Sequence, residues 1–256
     1  MIRRILVCMA AAMLVPAAAL GQIQIHSNPQ QNPYYVNPEQ QIDFVPYVWF
    51  SGFNGTLGAL NRSVSVHAPF SDVFDQLNFG AMAFFDVRKN RFIFSNDLIY
   101  TSLTDTQPLP AAPAFTLETN SKLFIDTPAL GLRLIDKPGY HVDANAGIRI
   151  WHLSAGFTAG QLPQATQDQT WVDPVVGMSG GIKFGGPWFI NAEGDFGGWG
   201  VGADLDWQLF GALGRTFARR FSLAVAYRYL SVDYKHQTFL FDTAMQGPQL
   251  GFGFHW

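Results

Sequence analysis

From Phe221 to Trp256 the chain alternates. Phe221, Leu223, Val225, Tyr227 and Tyr229 interleave with Ser222, Ala224, Ala226 and Arg228. Beyond residues 235–243, Leu250, Phe252, Phe254 and Trp256 interleave with Gln249, Gly251, Gly253 and His255. Period two puts successive side chains on opposite faces, so this stretch predicts two strands of a hairpin. The same pattern recurs upstream and predicts ten strands, over 42–53, 78–88, 91–103, 121–135, 140–153, 173–184, 187–197, 204–217, 221–234 and 244–256. Lys89-Asn90, Asp136–Gly139, Gly185–Pro187 and Ala218–Arg220 are short connections. Segments 54–77, 104–120, 154–172, 198–203 and 235–243 are mostly longer. Short turns on one side and long loops on the other fit an even-stranded antiparallel transmembrane β-barrel, with short periplasmic turns and longer outer loops.

The charges decide which face meets lipid. With the phase set by aromatics and large aliphatics, Asp86, Asp97, Arg133, Asp143, Arg149, Lys183, Glu193, Asp195, Asp206 and Arg228 all fall on the opposite face, towards the lumen. A charge facing lipid at mid-bilayer costs about 2–4 kcal/mol, which enforces such phasing. Asp126, Arg215 and Asp233 break phase, each near a predicted strand end. A soluble barrel or sandwich also alternates, with its faces exchanged. The aromatics favour the membrane. Phe92, Tyr140, Trp188 and Phe221 closely follow the short turns and, with Trp256, predict an inner girdle. Tyr100, Trp151, Trp171, Trp199 and Tyr234 are candidates for the outer one.

The front of the chain agrees. Arg3 and Arg4, the apolar run Ile5–Val15 and the small residues at Ala19-Leu20-Gly21 read as a signal peptide over 1–21. Cys8, the only cysteine, lies inside it, so the mature chain carries no disulfide or cysteine metal site. Without Arg3 and Arg4 the basic count falls from 16 to 14 against 19 acids, a net charge near −5. No basic patch points to nucleic acid. Charged residues make up 14% of the chain, against about 25% in ordinary soluble domains. Residues 22–41 hold no Lys or Arg and are rich in Gln, Asn and Pro. They read as a flexible periplasmic leader, with the barrel over 42–256.

The alternating last strand, closed by Phe254-His255-Trp256, resembles the closing strand of bacterial outer-membrane β-barrels. That resemblance implies two partners, outer-membrane lipid and the barrel insertion machinery, which reads the C-terminal aromatic. Gly194-Asp195-Phe196-Gly197-Gly198 and Tyr227–Tyr234 look more narrowly like small porin-like, OmpA- or OmpW-like barrels without assigned activity. The resemblance covers 42–256, speaks to architecture and implies location in the cell outer membrane.

For function, the lumen charges admit two readings: a network pairing across a filled interior, or a narrow solute path lined by Asp and Arg. The first outer connection opens with Asn54-Gly55, a turn signal, although Thr56–Ala68 could supply another hairpin. Ser71–Leu77 reads as a short helix capped by Ser71, with Phe74 and Leu77 on one side. Pro108, Pro110 and Pro113 stiffen the second outer loop. The alternative function is hydrolytic. His152-Leu153-Ser154 resembles the His-x-Ser of outer-membrane lipid A deacylases, and residues i and i+2 share a face. Ala155-Gly156 stands where that family carries other residues after its serine, and no acid stands beside the pair. Asp173 with His152, or Asp233 with His236, imitates the rim pairs of barrel proteases. The six histidines lack metal-ligand spacing. The expectation is a non-enzymatic barrel with neither metal nor cofactor.

Overall fold

Alternation on both sides of every short turn closes into one sheet. The computed structural model describes residues 40–256, apart from 60, 61, 110, 111, 160–164, 218 and 219. The order is β1 (Gln40–Trp49), β2 (Gly52–Ala59), β3 (Arg62–Ala68), α1 (Phe70–Asp75), β4 (Leu77–Lys89), β5 (Phe92–Leu109) and β6 (Ala112–Lys137). Then come β7 (Tyr140–Ala159), β8 (Ala165–Phe184), β9 (Trp188–Gly198), β10 (Leu205–Phe217), β11 (Phe221–His236) and β12 (Phe239–His255). Strands β1 and β4 to β12 pair antiparallel in sequence, and β12 pairs back to β1, closing a ten-stranded barrel. The segments expected as a signal peptide (1–21) and leader (22–41) lie outside the described residues, except that Gln40 and Gln41 already belong to β1.

Register fixes the barrel's shape. One circuit runs from Asp43 through Asp86, Ser95, Ala129, Gly147, Val175, Gly197, Asp206, Val232 and Thr243, and returns to the starting edge at Gly55. The return is staggered by the interval from 43 to 55, and such a stagger tilts the strands against the axis. The short turns use residues that tolerate positive φ: Asn90 (φ 56), Gly139 (φ 92), Gly185 (φ 57) and Gly186 (φ 81).

The outer connections differ from the expectation. Most of their residues continue the strands, so β5, β6, β7, β8 and β12 rise well beyond the predicted ends. The reason is visible along β7, where odd residues point inward throughout. In the lower half those are His141, Asp143 and Arg149; higher up they are Trp151, Leu153 and Ala155, all buried. The even residues change the other way, from Ile148 and Ile150 to His152 and Ser154. The outer face is apolar along the lower part and polar along the upper part, as lipid below and water above would require, so the chemistry of the two faces exchanges while the pleat continues. A phase set only by apolar residues loses the strand at that exchange.

The Asn54-Gly55 turn is also corrected. Both residues lie inside β2, which continues β1 against β12 in one register: Trp49 pairs with Gln249 and Gly52 with Gln246. A Cβ on Gly55 would stand 2.3 Å from the Asp242 carbonyl oxygen, so this glycine serves a close strand approach. The hairpin weighed for Thr56–Ala68 exists as β2–β3. The short helix exists too, but Pro69 is its N-cap, without a side-chain cap, and Ser71 Oγ bonds Asp72 Oδ1 at 3.2 Å instead. Its inward residue is Val73, whereas Phe74 is exposed.

Candidate functional site: the barrel interior

Inward-facing charge is gathered in two clusters. At the short-turn end Asp143 accepts from the Arg133 guanidinium, with Nη2 3.1 Å from Oδ2, and Asp136 lies 3.7 Å from Arg133 Nη1. Beside them the two ends of the sheet are tied together. His255 Nδ1 lies 2.7 Å from Asp43 Oδ1, and its Nε2 lies 2.9 Å from Ser222 Oγ. Gln41 Nε2 donates to Asp43 Oδ2 at 2.6 Å. One histidine thus joins β1, β11 and β12 at the seam.

At mid-height Arg149 reaches two carboxylates. Its Nη1 is 2.5 Å from Asp206 Oδ1, and its Nη2 is 3.0 Å from both oxygens of Asp195. The other Asp206 oxygen accepts from Trp151 Nε1 at 2.9 Å. Gln208 bridges onward, donating to Asp195 and accepting from Arg228. Arg228 lies over the Trp49 ring at 5.5 Å and 3.9 Å from Asp97, which accepts from the Tyr47 hydroxyl at 2.6 Å. Charged hydrogen bonds in a dry interior are stronger than surface pairs, and removing one partner strands the other. Beside this network a cavity of about 20 Å³ is lined by Asp97, Glu193 and Asp195 among others. That is room for roughly one water.

Above the network the interior is mainly apolar, with Thr101, Ser121 and Thr243 buried among the apolar side chains. Trp171 stacks between Trp151 and Tyr234, with ring centroids 5.3 and 3.9 Å away, and Phe241 meets both tryptophans at 6.2 and 5.9 Å. Phe53, Leu57 and Val66 of the β2–β3 hairpin, Leu103, Leu123 and Val232 belong to the same buried cluster. Asp173 is enclosed at its lower edge, where it accepts from Trp171 Nε1 at 2.9 Å and from the Ala203 amide at 2.6 Å.

Of the ten lumen candidates, Asp86, Asp97, Arg133, Asp143, Arg149, Glu193, Asp195, Asp206 and Arg228 are buried and Lys183 is half-buried. The structure brings together Arg133 with Asp143 and Arg149 with Asp195 and Asp206. Among the described residues, Lys183 Nζ has no hydrogen-bond partner. The sequence reading missed Asp43, Arg88, Asp173 and His255 as lumen residues, because each sits at or near an end of a predicted strand, where phase has few neighbours to set it. The girdle candidates Phe92, Tyr140, Trp188 and Trp256 stand exposed after the short turns or at the chain end, with Phe221 half-buried. Trp151, Trp171 and Tyr234 point inward and do not form an outer girdle. Tyr100 and exposed Trp199 remain on the outside, joined by the stacked pair Trp207–Tyr229.

His152 and Ser154 share the outward face of β7, as their spacing predicts. His152 Nδ1, however, is 2.7 Å from Thr170 Oγ1, and among the described residues no hydrogen bond joins it to Ser154. Asp173 points into the barrel and His152 out of it, so that pair does not form. Asp233 faces Asp242 across the ladder rather than His236.

A closed antiparallel barrel with an apolar belt outside and charge inside is the architecture of outer-membrane β-barrels, and this chain has that architecture. No protein-family model and no curated relative matches it. Among solved structures its fold is similar to the outer-membrane protease OmpT from Escherichia coli, with a TM-score of 0.58 at 11% identity over 86% of this chain and 98% of that one. Weaker likenesses are the translocator domain of the autotransporter NalP from Neisseria meningitidis (TM-score 0.42, 9% identity, 86% and 89% covered) and Ail of Yersinia pestis (0.39, 10%, 85% and 98%). At such identities the likeness is one of fold.

Proposed function

We propose that the protein is a sealed, structural outer-membrane barrel whose interior charges hold the wall together rather than conduct solute or catalyse. One observation carries this reading: the Trp151–Trp171–Tyr234 stack and its apolar neighbours lie across the lumen directly above the Arg149 network. A hydrated path through charged residues meets that cluster as an apolar constriction, and apolar constrictions close a path by dewetting. Burying eight carboxylates (Asp43, Asp86, Asp97, Asp143, Asp173, Glu193, Asp195, Asp206) is costly unless each is paired, and most of the arginines inside do that pairing.

Planar-bilayer recording tests it. The wild-type protein is expected to give no discrete conductance steps, whereas Trp171→Ala combined with Phe241→Ala opens steps that shift again with Arg228→Gln. Steady wild-type channels sensitive to Arg149 or Arg228 substitution overturn the proposal in favour of a narrow pore. Lipid changes in cells that disappear with Ser154→Ala would instead establish the hydrolytic alternative.

A further inference from the structure

The barrel wall is not paired to the same height all round. Strands β1 and β4 are in register from Gln40–Lys89 to Pro46–Ala83 and there the pairing stops, although β1 continues to Trp49 and β4 begins at Leu77. The next pairs in register, Tyr47 with Met82 and Trp49 with Gly80, are not made. The wall therefore parts on one side, in its outer half. Helix α1 spans the top of the parting. It is held to the β1–β2 junction by the edge contact of Phe70 on Phe50 at 5.1 Å, and to β5 by the Gln76 carbonyl, which accepts from the Thr104 amide at 2.9 Å.

The interior reaches the outside there. Along β4 the inward-facing Arg88, Asp86 and Phe84 are buried, but Met82 in the same phase is half-buried and Gly80 is exposed. Ala81 and Ala83 keep the rim thin. The flanks are apolar: Val48 is 49% exposed and Phe79 58%, and Met82 packs against the buried cluster. A Cβ on Gly80 would meet Met82 Cε at 3.0 Å, so the absence of a side chain at position 80 leaves the space beside Met82 free.

We propose that this slot is a lateral binding site for one acyl chain of an outer-leaflet lipid, a step beyond the sealed-barrel reading. Two features select that occupant. The slot opens in the exposed apolar belt, so hydrocarbon borders it. Trp49 pairs with Gln249 and Gly80 with Thr101, but neither is paired across the β1–β4 parting, and main-chain groups facing that parting at membrane depth call for a polar group, which the ester or amide linkage of a lipid brings with its chain. The occupant lies along Val48, Phe79 and Met82 under α1, with its headgroup outside the rim.

Photocrosslinking in intact outer membranes tests this. A benzophenone amino acid at position 82 is expected to give an adduct of lipid mass on ultraviolet irradiation. The same group at position 84, inward in the paired wall, gives none, and at position 225, on the lipid face, it gives one as a positive control. Native mass spectrometry of the unsubstituted protein is expected to show one retained lipid that Gly80→Trp abolishes, while heat-modifiable gel migration shows the variant still folded. Crosslinks from position 82 only within the chain, or no retained lipid, overturn the proposal. A peptide adduct there overturns it in favour of a protein strand added to the two free edges. Conductance is not read, so the sealed-barrel proposal fails or stands separately.

Discussion

Arg149 shows how one buried residue can hold several strands. It sits on β7 and reaches Asp195 on β9 and Asp206 on β10, across a span that no backbone ladder covers. Arg149→Leu keeps the interior filled but leaves two carboxylates facing each other in a dry site. A loss of about 3–5 kcal/mol is expected, because a stranded buried charge is penalised more than the intact pair stabilises. The temperature at which the unboiled protein loses its compact gel migration measures it. Adding Asp206→Asn to Arg149→Leu should recover part of the loss. A drop below about 1 kcal/mol for Arg149→Leu alone would mean that water or protons already neutralise the cluster.

At the level of the element, the informative glycines are those that let two strands approach. Gly55 faces the β12 main chain, and a Cβ there would stand 2.3 Å from the Asp242 carbonyl oxygen and 2.7 Å from Thr243 Cα. Gly55→Ala is expected to cost about 1–3 kcal/mol, because backbone cannot give way as a side chain can. Gly211→Ala, with nothing within 4 Å of the new carbon, should change stability by less than about 0.5 kcal/mol. Equal effects in urea unfolding would show that β2 does not pack closely on β12. Gly55 also marks what could be read in advance. Belt strands such as β9, β10 and β11 were legible because lipid outside and charge inside give opposite chemistry to opposite faces. Asn54-Gly55 misled because both residues are paired on both sides, with β12 and with β3, so the chain runs straight through the dipeptide. The ion pairs were legible as a face but not as partners. Which aspartate meets Arg149 depends on stagger around the barrel, and no local spacing carries that.

Over the whole molecule, the exchange of facial chemistry along each long strand divides the barrel by solvent. Up to about the level of Ile150 the exterior is hydrocarbon-compatible. Above it the exterior carries Lys122, Ser154, Thr170 and Asp242, and the inside holds the aromatic cluster. The lower section needs lipid or detergent to be stable; the upper section is built as a small water-soluble β protein is, on apolar burial. Chaotropes weaken that burial, while the lower wall stays solvated by lipid and internally paired. In bilayers, urea is therefore expected to produce two transitions. Tryptophan fluorescence of a variant that keeps only Trp151 and Trp171 of the seven tryptophans should change first, and its heat-modifiable migration should be lost later. A single coincident transition would refute this division. The same strands are thus two materials joined end to end along one continuous backbone. Substitutions that adapt the exposed rim can accumulate under the rules of a soluble protein without loosening the part that anchors it.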